Sequence, residues 1–204
     1  MSEAEGNLYQ GEYFEYLHDR GFIRKQIRKF YLRDIRKSCL GKSIDFGCGV
    51  GELLHLLEPG SIGFEVNPIA VAYCRSTGLD VQLYDPGQDD YQFRMIAPQT
   101  FTTFTMNHVL EHIENLQEVL FKIMVSCHRL GIRRLVFTVP GIKGYASDAT
   151  HRTFIDRTYF EENGVFENPY YQLRQARYFP VNSPAFGKYF THNEWRIIFD
   201  ARQA

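Results

Sequence analysis

The segment that most constrains this chain is residues 43–52, which reads Ser-Ile-Asp-Phe-Gly-Cys-Gly-Val-Gly-Glu. A short apolar run ends in the acid Asp45, and glycines follow at alternate positions 47, 49 and 51. A leucine-rich pattern then begins at Leu53, so the segment predicts a strand, a tight turn and a helix. Glycine permits an unusual backbone and a close approach of a ligand, and the first N–H groups of a helix have no internal partner. The turn is therefore a candidate cradle for a polar ligand.

The spacing of the three glycines indicates which ligand class the turn suits. A dinucleotide-binding turn has the pattern G-x-G-x-x-G, whereas this segment has G-x-G-x-G followed by Glu52. A pyrophosphate would be repelled by Asp45 and Glu52, and a cationic or zwitterionic ligand would not. A nucleotide-dependent oxidoreductase is disfavoured for this reason.

Three motifs in sequence order resemble those of class I S-adenosylmethionine-dependent methyltransferases that act on small molecules. They are residues 45–51 (DFGCGVG), 63–68 (GFEVNP) and 107–113 (NHVLEHI). The resemblance implies an α/β fold, a Rossmann-like three-layer sandwich with a mostly parallel seven-stranded sheet and an antiparallel last strand. It implies S-adenosylmethionine as cofactor and S-adenosylhomocysteine as product. The reaction would be methyl transfer to an oxygen, nitrogen or carbon of a small-molecule acceptor.

Polar residues end four of the predicted strands, at Asp45, Glu65, Asp85 and Asn107. Alternating strands and helices predict a parallel sheet, in which ligands bind outside the carboxyl ends of the strands. The four residues should therefore meet at one edge of the sheet. Glu65 follows Gly47 by 18 positions, a spacing that suits an acid binding the hydroxyls of a ribose.

Further cofactor-binding residues are implied by the resemblance. The turn would supply Gly47, Cys48, Gly49 and Gly51, and Asp85 would accept a hydrogen bond from the adenine amino group. Asn107 and His108 would lie near the methionine part of the cofactor. Asp85 precedes a proline, so an ordinary turn residue is the alternative interpretation.

No motif fixes a catalytic base, which methyl transfer requires only for a hydroxyl or protonated amine acceptor. His151 is the candidate, because it lies in the loop after the fifth strand, where the active site of this fold opens. An imidazole suits proton removal near neutrality. His108 is the second choice, and a structural histidine is the alternative at either position.

Residues 108–112 also match H-x-x-E-H, a zinc signature of metalloproteases. Two histidines four positions apart on a helix share a face, and Glu111 would be the base. A third ligand is missing from the pattern, so no metal site is predicted and the protease remains a minor alternative.

The 204 residues suit a single domain, divided into a helical lid segment over residues 1–40 and a methyltransferase domain over 41–204. Tyr13 or Tyr16 of the lid are candidates for ligand contact. The helix expected over residues 22–39 carries one strongly basic face. This face is either solvated or a docking site for a partner. The alternative function is therefore a cofactor-binding protein that does not transfer a methyl group.

The net charge of −1 gives no general attraction to nucleic acid or to anionic membranes. Four scattered cysteines indicate reduced thiols, and the sequence shows neither a signal peptide nor a long apolar run, so a cytoplasmic protein is expected. An N-P-P-Y motif for amino-methylation of DNA is absent after the fourth strand. A small-molecule acceptor is therefore favoured over nucleic acid.

Overall fold

A seven-stranded sheet organises the computed structural model, which describes residues 22–202, with side chains from residue 28 onward. The strands are β1 Ser43–Phe46, β2 Ile62–Glu65, β3 Val81–Leu83, β4 Thr103–Asn107, β5 Arg134–Pro140, β6 Tyr171–Phe179 and β7 Glu194–Ala201. The α-helices are α1 Phe22–Ser38, α2 Pro68–Ser76, α3 Pro86–Asp89, α4 Leu116–Arg129, α5 Ile142–Ala146 and α6 Arg157–Glu162. Short 3₁₀ helices cover Leu54–Leu56, Leu110–His112 and Pro184–Lys188.

The strand order is β3-β2-β1-β4-β5-β7-β6, and the first five strands pair in parallel. Strand β7 lies between β5 and β6 and is antiparallel to both. This confirms the predicted sheet and its antiparallel last strand. The carboxyl ends of β1, β2 and β4 meet at one edge, as expected.

Two apolar cores, one on each face of the sheet, make the three layers. Side chains alternate along a strand, so Leu135 and Phe137 of β5 pack in one core while Val136 packs in the other. The larger core includes Phe104 and the apolar face of α4. The smaller core joins α1 and α2 to the sheet, in part through Ile35. Helices therefore cover both faces, as the parallel strands require.

The helix predicted after the glycine turn does not form. Residues 54–56 make a 3₁₀ helix of a single turn, and Pro59 and Gly60 then lead the chain into β2. Only seven residues separate Gly51 from Pro59, and proline disfavours a helical conformation in the residue before it. Leu53, Leu54 and Leu57 are buried in the smaller core. The leucine pattern therefore results from burial of these side chains and not from an α-helix.

Helix α1 packs on one face of the sheet and is fixed at several points. The guanidinium of Arg28 pairs with Glu52 of the glycine segment, and Asp34 pairs with Arg177 of β6 and Arg196 of β7. The expected lid over residues 1–40 stays a prediction, because residues 1–21, with Tyr13 and Tyr16, lie outside the described part of the chain.

All four cysteines of the chain, at positions 39, 48, 74 and 127, are free thiols and buried. None of the helices described between residues 22 and 202 is long and apolar enough to cross a membrane.

Candidate functional site

The glycine turn leaves β1 and curls back against the end of β2. The amides of Gly47 and Cys48 both donate to the carbonyl oxygen of Phe64, at 2.8 and 3.1 Å. Gly47, Gly49 and Gly51 have φ of +71°, +55° and +77°, a backbone region that side chains disfavour. The alternate glycines are therefore required by the path of the turn.

A cavity of about 390 Å³ opens beside this turn. Residues 47–50 line one wall, the end of β4 and the segment after it line a second, and α1 contributes Tyr31, Leu32 and Ile35. The loop after β5 and the residues just before β7 complete it. Of the predicted site residues, the structure brings together at this cavity Gly47, Cys48, Gly49, Asn107, His108 and His151.

Asn107 lines the cavity, and its side chain has an unpaired acceptor. Its Oδ1 is buried and has no hydrogen-bond partner among the described residues. An unpaired buried polar atom is costly, so Asn107 is a candidate for binding a donor group at this wall.

His108 is held between two carboxyl groups. Its Nδ1 lies 3.2 Å from Oε1 of Glu111, and its Nε2 lies 3.1 Å from Oε1 of Glu194. Burial alone lowers the pKa of this imidazole, but the carboxylates of Glu194 and Glu111 raise it to about 10. Because both nitrogens face acceptors and the ring stays protonated, His108 is unsuited to act as a base near neutrality.

Glu65 is buried, with an exposed fraction of 6%, and backbone amides donate to its carboxylate. Its Oε2 accepts from the amide of Gly49 at 2.7 Å, and its Oε1 accepts from the amides of Val66 and Asn67 at 2.8 and 2.9 Å. The carboxylate therefore ties the glycine turn to the end of β2. The ribose-binding role of Glu65 stays a prediction.

The other predicted acids and Gly51 do not line the cavity. Asp45 is buried and accepts from the hydroxyl of Thr105 at 2.7 Å. Asp85 is exposed and caps α3 through the amides of Gly87 and Gln88, which is the ordinary turn role weighed above. Gly51 lies against Leu79, where an added Cβ would overlap that side chain. Cofactor contacts of these three residues remain predictions.

His151 reaches the cavity from the loop after α5. Its Nδ1 lies 2.7 Å from the carbonyl oxygen of Tyr145, and its Nε2 lies 3.8 Å from Oε1 of Glu111. The catalytic role of His151 stays a prediction.

The helix that a metalloprotease H-x-x-E-H motif requires does not form here. Residues 110–112 make a single 3₁₀ turn, so His108 and His112 do not share the face of an α-helix. His108 is paired with carboxylates, as described above, and His112 instead lies beside His151, with ring centroids 4.7 Å apart.

Sequence reasoning missed Glu194 and Asp148 at this cavity. Glu194 opens β7 and pairs in register with Pro140 at the end of β5. Of two antiparallel neighbouring strands, one begins at the edge where the other ends, so the first residue of β7 was a detectable candidate.

The strand order, the antiparallel β7 and the glycine turn at the carboxyl edge together define the fold of class I S-adenosylmethionine-dependent methyltransferases. No protein-family model matches the sequence, and no curated protein matches it. Solved structures do match the fold. One is a SAM-dependent methyltransferase from Archaeoglobus fulgidus, 18% identical, with a TM-score of 0.67 over 94% of this chain and 99% of that chain.

Two other similar structures have different acceptors in their names. Magnesium protoporphyrin IX methyltransferase from Synechocystis, solved with bound SAH, is 13% identical, with a TM-score of 0.64 over 97% of this chain and 95% of that chain. The small RNA methyltransferase HEN1 is 17% identical, with a TM-score of 0.60 over 89% of this chain and 25% of that chain. At these identities the likeness establishes the fold, and the acceptor has to be argued from the site.

Proposed function

We propose that this chain is an enzyme that transfers a methyl group from S-adenosylmethionine to a small-molecule acceptor. The observation that carries the proposal is the unpaired Oδ1 of Asn107 at the wall of a cavity whose other wall is the glycine turn. The ammonium group of a methionine moiety is a donor that fits this oxygen.

The residues at the cavity suit the methionine half of the cofactor. Residues 47–50 line the cavity, and a side chain at Gly47 would collide with Val109. The ribose and adenine would lie toward Glu65 and Asp85, beyond the cavity itself. Lone pairs of Glu65 not used by the three backbone amides would accept from ribose hydroxyls.

Methyl transfer requires mainly that the protein position the acceptor atom in line with the methyl group of the cofactor. When the methyl group moves, a bond forms between the acceptor atom and the methyl carbon, the carbon–sulfur bond breaks, and its electron pair neutralises the sulfonium. The chemistry resides in the cofactor, and the protein aligns the acceptor and excludes water. A hydroxyl acceptor must also lose its proton, and His151 is the residue proposed to receive it.

The acceptor side of the cavity is polar, with Asp148, Thr191 and Glu194 in its lining. Such a wall suits an acceptor with hydroxyl or amine groups. The net charge of −1 supports a small molecule over RNA as the acceptor.

Calorimetric titration with S-adenosylhomocysteine, with NAD as the comparison ligand, tests the cofactor. Removing the acceptor atom with Asn107→Leu should weaken S-adenosylhomocysteine about ten- to a hundredfold, because a hydrogen bond to a charged group contributes about 1.5–3 kcal/mol. Radiolabelled methyl transfer to a panel of hydroxylated and amine metabolites, with RNA included, then identifies the acceptor.

Thr138→Val is the matched control. Thr138 pairs in register with Asn107, and its Oγ1 is also buried without a partner among the described residues, but it does not line the cavity. This variant should bind S-adenosylhomocysteine like the unaltered protein. Absence of binding by the unaltered protein, or tighter binding of NAD, would refute the proposal; binding without transfer to any acceptor would favour a non-catalytic binding protein.

A further inference from the structure

Three potential metal ligands converge beside the proposed acceptor site. The ligand atoms of Glu111, His112 and His151 all lie within 4.8 Å of one another. Backbone bonds hold the group together, because the amides of Arg152 and Thr153 donate to the carbonyl oxygen of Glu111 at 2.8 and 3.2 Å. The loop that carries His151 is therefore fixed against Glu111.

The hydrogen bonds around His151 determine which nitrogen of its neutral ring is free. Nδ1 faces the carbonyl oxygen of Tyr145 at 2.7 Å, and a carbonyl oxygen only accepts. Nδ1 must then carry the proton, so the lone pair is on Nε2.

The same reasoning applies to His112. Its Nδ1 lies 3.2 Å from Oγ1 of Thr150, and the proton of that hydroxyl is already donated to Oδ1 of Asp148 at 2.6 Å. The hydroxyl therefore accepts from Nδ1–H of His112, which leaves the lone pair on Nε2. An N–H bonded to an oxygen while the other nitrogen stays free is the usual arrangement of metal-binding histidines.

Glu111 supplies a second, independent observation, which is a buried carboxylate oxygen without a partner. The residue is fully buried, and its Oε2 has no hydrogen-bond partner within residues 22–202. His108 contacts only the other oxygen, Oε1. A buried carboxylate oxygen without a partner is costly unless a cation or donor compensates it.

We propose that Glu111, His112 and His151 bind one divalent first-row transition metal ion at the acceptor side of the cavity. Two imidazole nitrogens and one carboxylate suit Fe²⁺, Co²⁺ or Zn²⁺ better than Mg²⁺ or Ca²⁺, which prefer oxygen ligands. His108 stays outside the coordination sphere, because both of its nitrogens face carboxylates, and it orients Glu111.

Three protein ligands leave coordination positions open, and His112 and His151 both line the cavity. The role toward the acceptor rests on the proposed function: an acceptor hydroxyl bound to the metal would be oriented and would lose its proton more readily. His151 would then act as a ligand and not as a free base.

Metal binding is measured directly with Co²⁺, after the full-length protein has been freed of metal with a chelator. Titration should give one tight equivalent with a visible absorption band. The nuclear magnetic resonance spectrum of the Co²⁺ protein should show two exchangeable, strongly shifted imidazole N–H signals, one from each histidine ligand. This spectrum is recorded on the unaltered protein, so its interpretation does not depend on whether variants fold.

Variants locate the site. His112→Gln and His151→Gln should each weaken Co²⁺ by roughly tenfold or more, since even outer-sphere changes cost that much. His128→Gln should not, because His128 is an exposed residue near the end of α4, at the opposite edge of the sheet. Lack of saturable Co²⁺ binding, absence of the two imidazole signals, or equal affinity in all variants would overturn the inference.

The two proposals fail separately. Binding of S-adenosylhomocysteine is measured on the metal-free protein, so a protein that binds it but not Co²⁺ refutes the metal site alone. A protein that binds Co²⁺ through two histidines but no S-adenosylhomocysteine retains the metal site and loses its role toward a methyl acceptor.

Discussion

The side chain of Asp45 is buried, with an exposed fraction of 2%. Burial raises its pKa to about 7, and the hydrogen bond from Thr105 and the charge of Arg28 oppose that rise only in part. At the scale of a single residue, this acid therefore makes the fold sensitive to pH near neutrality.

We expect the free energy of unfolding to fall as the pH rises through this range. The unfolded chain loses the Asp45 proton near pH 3.9, and the folded protein keeps it until about pH 7, so the stability contributed below pH 4 is progressively lost up to pH 7. Asp45→Asn removes this effect. Between pH 5 and 8 the stability of the unaltered protein should fall by about 2 to 3 kcal/mol relative to the variant.

Urea unfolding of the ligand-free proteins at several pH values measures this difference. Subtracting the variant removes the contribution of other titrating groups, which the two proteins share. Parallel stability curves would show that Asp45 is ionised in the folded protein at pH 5.

At the scale of elements, the seven strands were predictable because each carries β-branched or apolar residues, in a short run or interspersed with polar residues, and is bounded by turn residues. The turn after β1 was predictable in its glycines, but not the helix after it. The four leucines there all pack in or against the smaller core around a single 3₁₀ turn, and Arg36 of α1 donates to the carbonyl oxygen of Leu56. Periodicity alone could not report that arrangement.

The position of α5 depends on a close backbone approach. Gly141 precedes the helix, and an added Cβ would overlap the carbonyl oxygen of Asn193, next to the start of β7. Gly141→Ala should therefore destabilise the protein by about 1–3 kcal/mol, since backbone on both sides must shift. Amide hydrogen exchange over residues 191–195 should also accelerate.

Gly78→Ala provides the comparison. Gly78 has φ of +83° and no atom within 4 Å of an added Cβ, so this variant measures only the backbone cost, about 1–2 kcal/mol. Exchange over residues 191–195 should stay unchanged in it. An unchanged exchange rate in Gly141→Ala as well would contradict the steric argument.

At the scale of the whole molecule, a charged cluster joins the first described helix to the last strands. Arg196 of β7 is 1% exposed and pairs with Asp34 of α1, which also accepts from Arg177 of β6 at 2.8 Å. Two nitrogens of Arg196, Nε and Nη2, have no partner among the described residues. The charge of Asp34 is therefore the main compensation for a buried guanidinium.

Asp34→Leu should destabilise the protein by about 3–5 kcal/mol, because it leaves Arg196 buried without a counter-charge. The double change Asp34→Leu with Arg196→Met should recover most of that loss, since both charges are then absent. Urea unfolding of the two single variants and the double variant gives the coupling energy. Additive losses would show that the ion pair does not link α1 to β7.

The candidate metal group shows what a sequence leaves open at this scale. His112 and His151 are 39 positions apart, and their approach depends on the path of residues 141–156 and on the two backbone bonds to Glu111. The H-x-x-E-H pattern contains Glu111 and His112, but it groups them with His108 and gives no indication of His151. Asn107, His108 and the turn glycines were predictable because they adjoin the ends of strands.

The burial of every native thiol has a practical consequence for following this protein in motion. A cysteine introduced at an exposed position, such as Val66 beside the end of β2, would be the one sulfur that a bulky maleimide dye reaches quickly. Such a label would sit near the mouth of the glycine turn without removal of any natural residue that the core requires. Its fluorescence would then report, in real time, the arrival and departure of small molecules at that edge.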